Sequence, residues 1–340
     1  MLQGVFFMNK TKVLQKETII VNGYAYPFIN ENTLLGWMPD LTFLTAFSYG
    51  MTPDGGLIGL NDEKLIRVSL ENGVKPLMAV TPLNEIGEFS NQLAHQVLIN
   101  PDARERLLNN ILENLVNKNL FGVDFDFEYI YRADRDLYTG LIEEAAVKLN
   151  REGYMVTVAL APKESADQAG FLYEGHDYAG LGQAANLVLI MTYEWGYKYG
   201  PPMAVSPLNK VRNVLDYAVT AIPPEKILLG IPNYAYDWIL PFIERETRAE
   251  KISHAEAEAR AERYGAEIQF DEIAQVPFFY YDDELGREHI VWFENAESIQ
   301  AKLYLISEYG LAGTSVWNIM EPFPAFSDEL NAMYSVQKIE

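Results

Sequence analysis

Residues 122–128 read Gly122-Val123-Asp124-Phe125-Asp126-Phe127-Glu128, three acids alternating with three large apolar side chains. Successive side chains of a β-strand point to opposite faces, so Asp124, Asp126 and Glu128 share one face and Val123, Phe125 and Phe127 the other. In a barrel wrapped by helices the apolar face meets the helices and the acids point inward. Three carboxylates in one weakly solvated space oppose one another's ionisation. A catalytic centre uses that conflict, because crowding keeps one carboxyl protonated as a general acid near neutral pH. Glu128 falls at the C-terminal end of the strand, where barrel active sites are built. Two other readings of the same alternation stand beside this one: an edge strand with its acids in solvent, and a carboxylate site for a divalent cation.

The flanking sequence favours the barrel. Short β-branched or aromatic runs alternate with longer helical patterns, which implies repeated βα units and a parallel sheet. Strands are predicted over residues 18–24, 41–49, 75–81, 122–128, 154–161, 187–193, 227–234 and 313–319. Eight parallel strands predict an α/β fold, a (β/α)8 TIM barrel. Within residues 101–118, Leu107, Leu108, Ile111, Leu112 and Leu115 recur at helical spacing and predict a stripe that faces the barrel. Further helices are predicted over 143–152 and 208–221. One segment, about 239–293, breaks the rhythm: a polar helix, SHAEAEARAERYGAEI, precedes PFFYYDDELGREHIVWF, two aromatic runs joined by a turn at Leu285 and Gly286. It predicts a small α+β insertion after the seventh strand of a catalytic barrel that otherwise occupies residues 1–340. The helix from His254 to Arg263 reads as a solvated face, and Trp37 and Trp292 as packing residues.

The composition, 49% hydrophobic and 22% charged over 340 residues, suits a globular chain with a substantial core. Its formal charge of −22, from 48 acids and 26 bases, repels phosphate backbones and anionic lipids, so neither a nucleic-acid nor a membrane partner is expected. The absence of cysteine excludes disulfides and thiolate chemistry. His95, His176, His254 and His289 lie far apart without metal-ligand spacing, so no metal and no other cofactor is expected. Residues 1–16, MLQGVFFMNKTKVLQK, have only a short apolar run with no small-residue cleavage site, and do not read as a signal peptide.

The 122–128 strand resembles the DGxDxDxE signature of glycoside hydrolase family 18, the chitinase-like enzymes. Gly122, Asp124, Asp126 and Glu128 hold their expected places, while Phe121 replaces the leading acid. The resemblance extends over the chain and is strongest to the bacterial spore-cortex-lytic N-acetylglucosaminidases. It rests on Asn22-Gly23-Tyr24, on Met191-Thr192-Tyr193-Glu194-Trp195-Gly196-Tyr197 with Gly200-Pro201-Pro202-Met203-Ala204, and on Gly230-Ile231-Pro232-Asn233-Tyr234. No LysM repeat of the kind such relatives often carry is visible.

This resemblance implies a retaining hydrolase in which the substrate's 2-acetamido oxygen is the nucleophile, an exception to the two-carboxylate scheme. Glu128 is then the general acid and base, Asp126 orients the acetamide, Asp124 shares a proton with Asp126, and Tyr193 steadies the acetamide oxygen. Trp317 matches the tryptophan that floors the sugar pocket. Met191, Glu194, Trp195, Tyr24 and Tyr234 are further candidates for substrate binding. The implied partner is an N-acetylglucosamine-containing glycan, peptidoglycan or chitin oligomers, bound by a monomer at the spore or cell wall. N-linked glycans are a further possible substrate, and an inert chitinase-like lectin is the alternative of another class.

Overall fold

The computed structural model describes residues 16–83 and 87–339. The signal-peptide reading concerns residues 1–16 and so falls almost wholly outside the described residues. Eight parallel strands form the centre: β1 (Thr18–Ala25), β2 (Phe43–Met51), β3 (Lys75–Val80), β4 (Gly122–Phe125), β5 (Met155–Leu160), β6 (Leu187–Ile190), β7 (Ile227–Pro232) and β8 (Gly313–Trp317). Each pairs with the next, and β8 pairs with β1 in the register Ile20↔Gly313, so the sheet closes on itself as a (β/α)8 barrel.

The alternation of the fourth strand sorts its side chains as its period requires. Val123, Phe125 and Phe127 are wholly buried in the layer between barrel and helices, with Leu107, Ile111 and Leu141. Phe127 stacks on Tyr138 at 5.3 Å between ring centres. Burying each such side chain contributes roughly 1.5–3 kcal/mol, which holds the opposite face, with Asp124 and Asp126, toward the barrel axis. Ladder pairing on β4 ends at Phe125, although the Asp126 amide still donates to the Val80 carbonyl at 3.1 Å. Glu128 therefore stands on the loop beyond the strand rather than within it. The predicted sixth and seventh strands overrun in the same way, since pairing stops at Ile190 and Pro232 and the chain turns outward to form the barrel mouth.

The helix Pro101–Lys118 has the bounds its spacing predicts. Asn100 caps it by accepting from the amides of Asp102 and Ala103, Pro101 fills the first turn, and Asn119 ends it in the left-handed region at φ 53°. The helix predicted from 143 begins earlier, at Arg135, and runs to Arg151.

Between β7 and β8 lies a separate five-stranded antiparallel sheet. Its strands are Ala235–Ile239, Glu250–Ile252, Gln269–Asp271, Val276–Asp282 and Glu288–Trp292, with the helix His254–Tyr264 beside them. The aromatic hairpin turns at Asp283, whose carboxylate accepts from the amides of Leu285 and Arg287, and Gly286 takes φ +72°. The helix departs from its reading as a solvated face. Its His254, Ala257 and Ala261 are buried, and Arg260 reaches Asp237 at 2.6 Å. Small alanines let that face pack closely on the sheet, so the polar composition conceals an apolar stripe. Trp37 packs against Phe326 and Trp292 stacks on Phe278 at 4.5 Å.

Candidate active site

The C-terminal mouth of the barrel opens into a cavity of about 630 Å³, a size suited to a small ligand or a sugar unit. Asp126, Glu128, Met191, Tyr193, Glu194, Trp195, Tyr24 and Trp317 line it, bringing together residues from the ends of β1, β4, β6 and β8. Tyr26, Phe47, Tyr129 and Tyr197 line it as well. The sequence alone does not single these four out, although Tyr26 follows Tyr24 at the strand period and Tyr129 adjoins Glu128.

Trp317 packs edge-on against Phe47 at 4.7 Å, Tyr24 at 5.5 Å and Tyr26 at 6.1 Å. These three rings fix the indole, and the four together make an apolar wall that suits the C–H face of a sugar.

Asp124 lies deepest of the acids. Both its oxygens accept hydroxyl hydrogen bonds, from Tyr24 at 2.7 Å and Thr157 at 2.6 Å. Burial raises its pKa, and these two bonds partly restore the charged form. Asp126 is also buried, but its Oδ1 has no hydrogen-bond partner in the protein. Burial first, then the charges of Glu128 and Asp124, push its carboxyl well above the usual range. A buried oxygen left without a donor is costly unless something else supplies one.

Glu128 is pushed up to about 7, mainly by burial and then by the carboxylate of Glu194. A carboxyl at that value both donates and accepts a proton near neutrality. Glu194 opens onto the cleft, and its Oε1 accepts from Tyr234 at 2.5 Å and Tyr236 at 3.2 Å. Shielding by the cleft walls raises the Glu194 pKa, while both tyrosines and the charge of Lys251 favour its ionised form. The Tyr193 hydroxyl stays protonated, since burial and then Asp126 and Glu128 oppose its ionisation. Tyr129 at φ 53° and Glu194 at φ 67° hold left-handed backbone just after Glu128 and Tyr193. Such conformations cost about 1–3 kcal/mol each in a residue with a β-carbon and cluster at functional sites.

Tyr234 is not where the sequence expects it. It is buried and does not line the cavity, and it donates to Glu194 from behind the wall. At this point the chain leaves β7 and crosses into the antiparallel sheet at Ala235.

Comparison with known proteins adds to this geometry. The chain is 42% identical over 299 residues to the cortical fragment-lytic enzyme of Bacillus subtilis (strain 168), a match covering 87% of this chain and 69% of that protein. The crystal structure of the Bacillus megaterium QM B1551 spore cortex-lytic enzyme SleL superposes with a TM-score of 0.91 at 38% identity, over 96% of this chain and 76% of that one. A chitinase from Chromobacterium violaceum ATCC 12472 superposes with a TM-score of 0.86 at 27% identity, over 92% of this chain and 98% of that one. The family description "Glycosyl hydrolases family 18" matches residues 48–321, most of the barrel together with the antiparallel sheet. Sequence, fold and relatives agree, and the chain is a glycoside hydrolase that belongs to family 18.

Proposed function

We propose that this glycoside hydrolase cleaves β-linked N-acetylglucosamine bonds of peptidoglycan by a retaining mechanism in which the substrate's acetamide is the nucleophile. The observation that carries this reading is the pairing of Glu128, pushed up to about 7, with Asp126, whose buried Oδ1 lacks a donor. Glu128 protonates the departing glycosidic oxygen while the acetamide oxygen attacks the anomeric carbon. The acetamide N–H supplies the donor that Asp126 lacks. Positive charge developing on the oxazolinium ring favours ionisation of Asp126, with Asp124 behind it sharing the proton. The Tyr193 hydroxyl, which stays protonated, donates to the acetamide oxygen and holds it for attack. Glu128, now a carboxylate, takes the proton from the water that opens the ring, and the β-anomer is released. Peptidoglycan is chosen over chitin on two grounds: the names of the cortex-lytic relatives, and the likeness of residues 191–204 to that subgroup.

The test is hydrolysis of peptide-free peptidoglycan glycan strands and of N-acetylglucosamine oligomers, with the first-formed anomer read by NMR. The β-anomer is expected. Glu128→Gln should lower turnover at least about 10²-fold with glycan binding kept. An initial α-anomer, or substantial residual turnover, refutes the mechanism.

A further inference from the structure

Most cations of this acidic chain are occupied. Arg67, Arg104, Arg106, Arg212, Arg260 and Arg287 each hold a carboxylate partner. Lys198 and Arg248 do not: among the described residues neither side chain has an ion pair or hydrogen bond, and both are exposed. They nevertheless lie together. The Lys198 ammonium is 5.8 Å and the Arg248 guanidinium 5.5 Å from the centre of the Tyr199 ring. Tyr199 is itself half exposed and stands edge-on to Tyr197, 6.5 Å away, a residue of the cleft wall.

The arrangement is built rather than incidental. The Ala249 amide donates to the Lys198 carbonyl at 2.8 Å, and the buried Trp238 indole donates to the Gly200 carbonyl at 2.9 Å. These bonds pin the loop after β6, which carries Lys198 and Tyr199, to the antiparallel sheet beside Arg248. A third cation, Lys251, stands 3.9 Å over the ring of Tyr234, the tyrosine that donates to Glu194. In a chain with 48 acids and 26 bases, leaving neighbouring cations unpaired at the rim of an active-site cleft forgoes readily available partners. The ring face favours cations while leaving their outward N–H groups free. Two cationic donors gathered on one ring suit a carboxylate.

We propose that Lys198 and Arg248, gathered on Tyr199, bind the carboxylate of a muramic-acid-type sugar next to the bond being cleaved. The inference rests on the reading of the substrate as peptidoglycan and deepens it. A neutral N-acetylglucosamine polymer offers nothing to these charges, whereas a glycan with lactyl ethers carries one carboxylate per muramic residue, either free or at the end of an attached peptide. The cations thus set a preference between two glycans whose scissile bonds are chemically alike.

The test compares the wild-type enzyme with the Lys198→Gln/Arg248→Gln double variant on four glycans of equal length. One carries free lactyl carboxylates, one the same groups amide-linked to a dipeptide, one their methyl esters, and one is a neutral N-acetylglucosamine oligomer. The double variant should raise KM about 10-fold on a carboxylate-bearing glycan, with kcat unchanged. On the ester and the neutral oligomer KM should move less than about 2-fold, which also shows that the variant is folded. The free-acid and dipeptide arms distinguish the two sources of the carboxylate. An equal KM change on acid and ester, or none on either acid, overturns the proposal. Should the wild type hydrolyse none of the four, the function proposed above fails, and calorimetric binding still decides this one. Tighter binding of acid than ester, lost in the double variant and in high salt, supports it; equal affinities overturn it.

Discussion

Replacing Glu128 by glutamine should make the protein more stable, with a pH dependence that identifies the cause. The carboxyl is raised from an ordinary 4.5 to about 7, chiefly by burial. The folded state therefore binds this proton more tightly than the unfolded chain does. The contribution of Glu128 to stability is fully present below about pH 4.5 and is lost as pH rises through about 7. At pH 8 the folded protein carries the full cost of a charge in a shielded cleft beside Glu194. At about 1.36 kcal/mol per tenfold change in proton affinity, the displacement corresponds to roughly 3 kcal/mol. Water entering the open cleft screens the charge and brings the expected gain from Glu128→Gln to about 1–2 kcal/mol. Unfolding entropy of about 0.7 kcal/mol/K for a chain of this length converts this to a rise in Tm of about 1.5–3 °C. Scanning calorimetry at pH 4 and pH 8 measures it. The gain should be present at pH 8 and absent at pH 4. An equal gain at both pH values, or none at pH 8, would show that the surroundings of Glu128 do not raise its pKa and would remove the basis for its role as an acid near neutrality.

Glu194→Gln removes the charge that ranks second in raising Glu128. The alkaline limb of kcat/KM should therefore move to lower pH, as read from a pH profile between 5 and 9, and an unmoved limb would uncouple the two acids. Tyr234→Phe deletes the shorter of two hydrogen bonds to Glu194 and should lower kcat/KM by about 3- to 10-fold without loss of the fold, checked by kinetics beside a thermal melt. Gly230→Ala would place a methyl group 2.5 Å from the Ile190 carbonyl and 2.9 Å from the Tyr193 ring, so turnover should fall with Tyr193 displaced and stability drop by about 1–3 kcal/mol in urea titration. Phe127→Ala empties the layer behind the fourth strand and should cost about 3–5 kcal/mol, measured the same way.

The fourth strand was legible because its signal is local. A period of two assigns each side chain a face before any contact is known, and one apolar face suffices to aim Asp124 and Asp126 inward. Repetition made the closed barrel legible too, since eight βα units leave few ways to pair parallel strands. Strand ends were less legible: the same alternation runs through Phe125 and Glu128, yet ladder pairing stops between them, and a period of two carries no mark of where pairing ends. The environment of Glu194 lay beyond sequence reading altogether. Tyr234 and Tyr236 reach one carboxylate only because the chain crosses from β7 into a second sheet between them, and no periodicity announces that crossing.

That crossing also explains why the antiparallel sheet belongs with the chemistry rather than beside it. Tyr236 lies on its first strand, and Lys251 is the residue paired with Tyr236 on the adjacent strand. Both act on Glu194, one by a hydrogen bond and the other by its charge, and Glu194 in turn helps raise Glu128. The pairing register of the sheet is thus carried into the proton affinity of the barrel's acid. A slip of one residue in the Lys251 strand would turn Lys251 to the opposite face and release Glu194 from its charge. The barrel supplies the acids and their direction, and the second sheet holds the carboxylate against which Glu128 titrates.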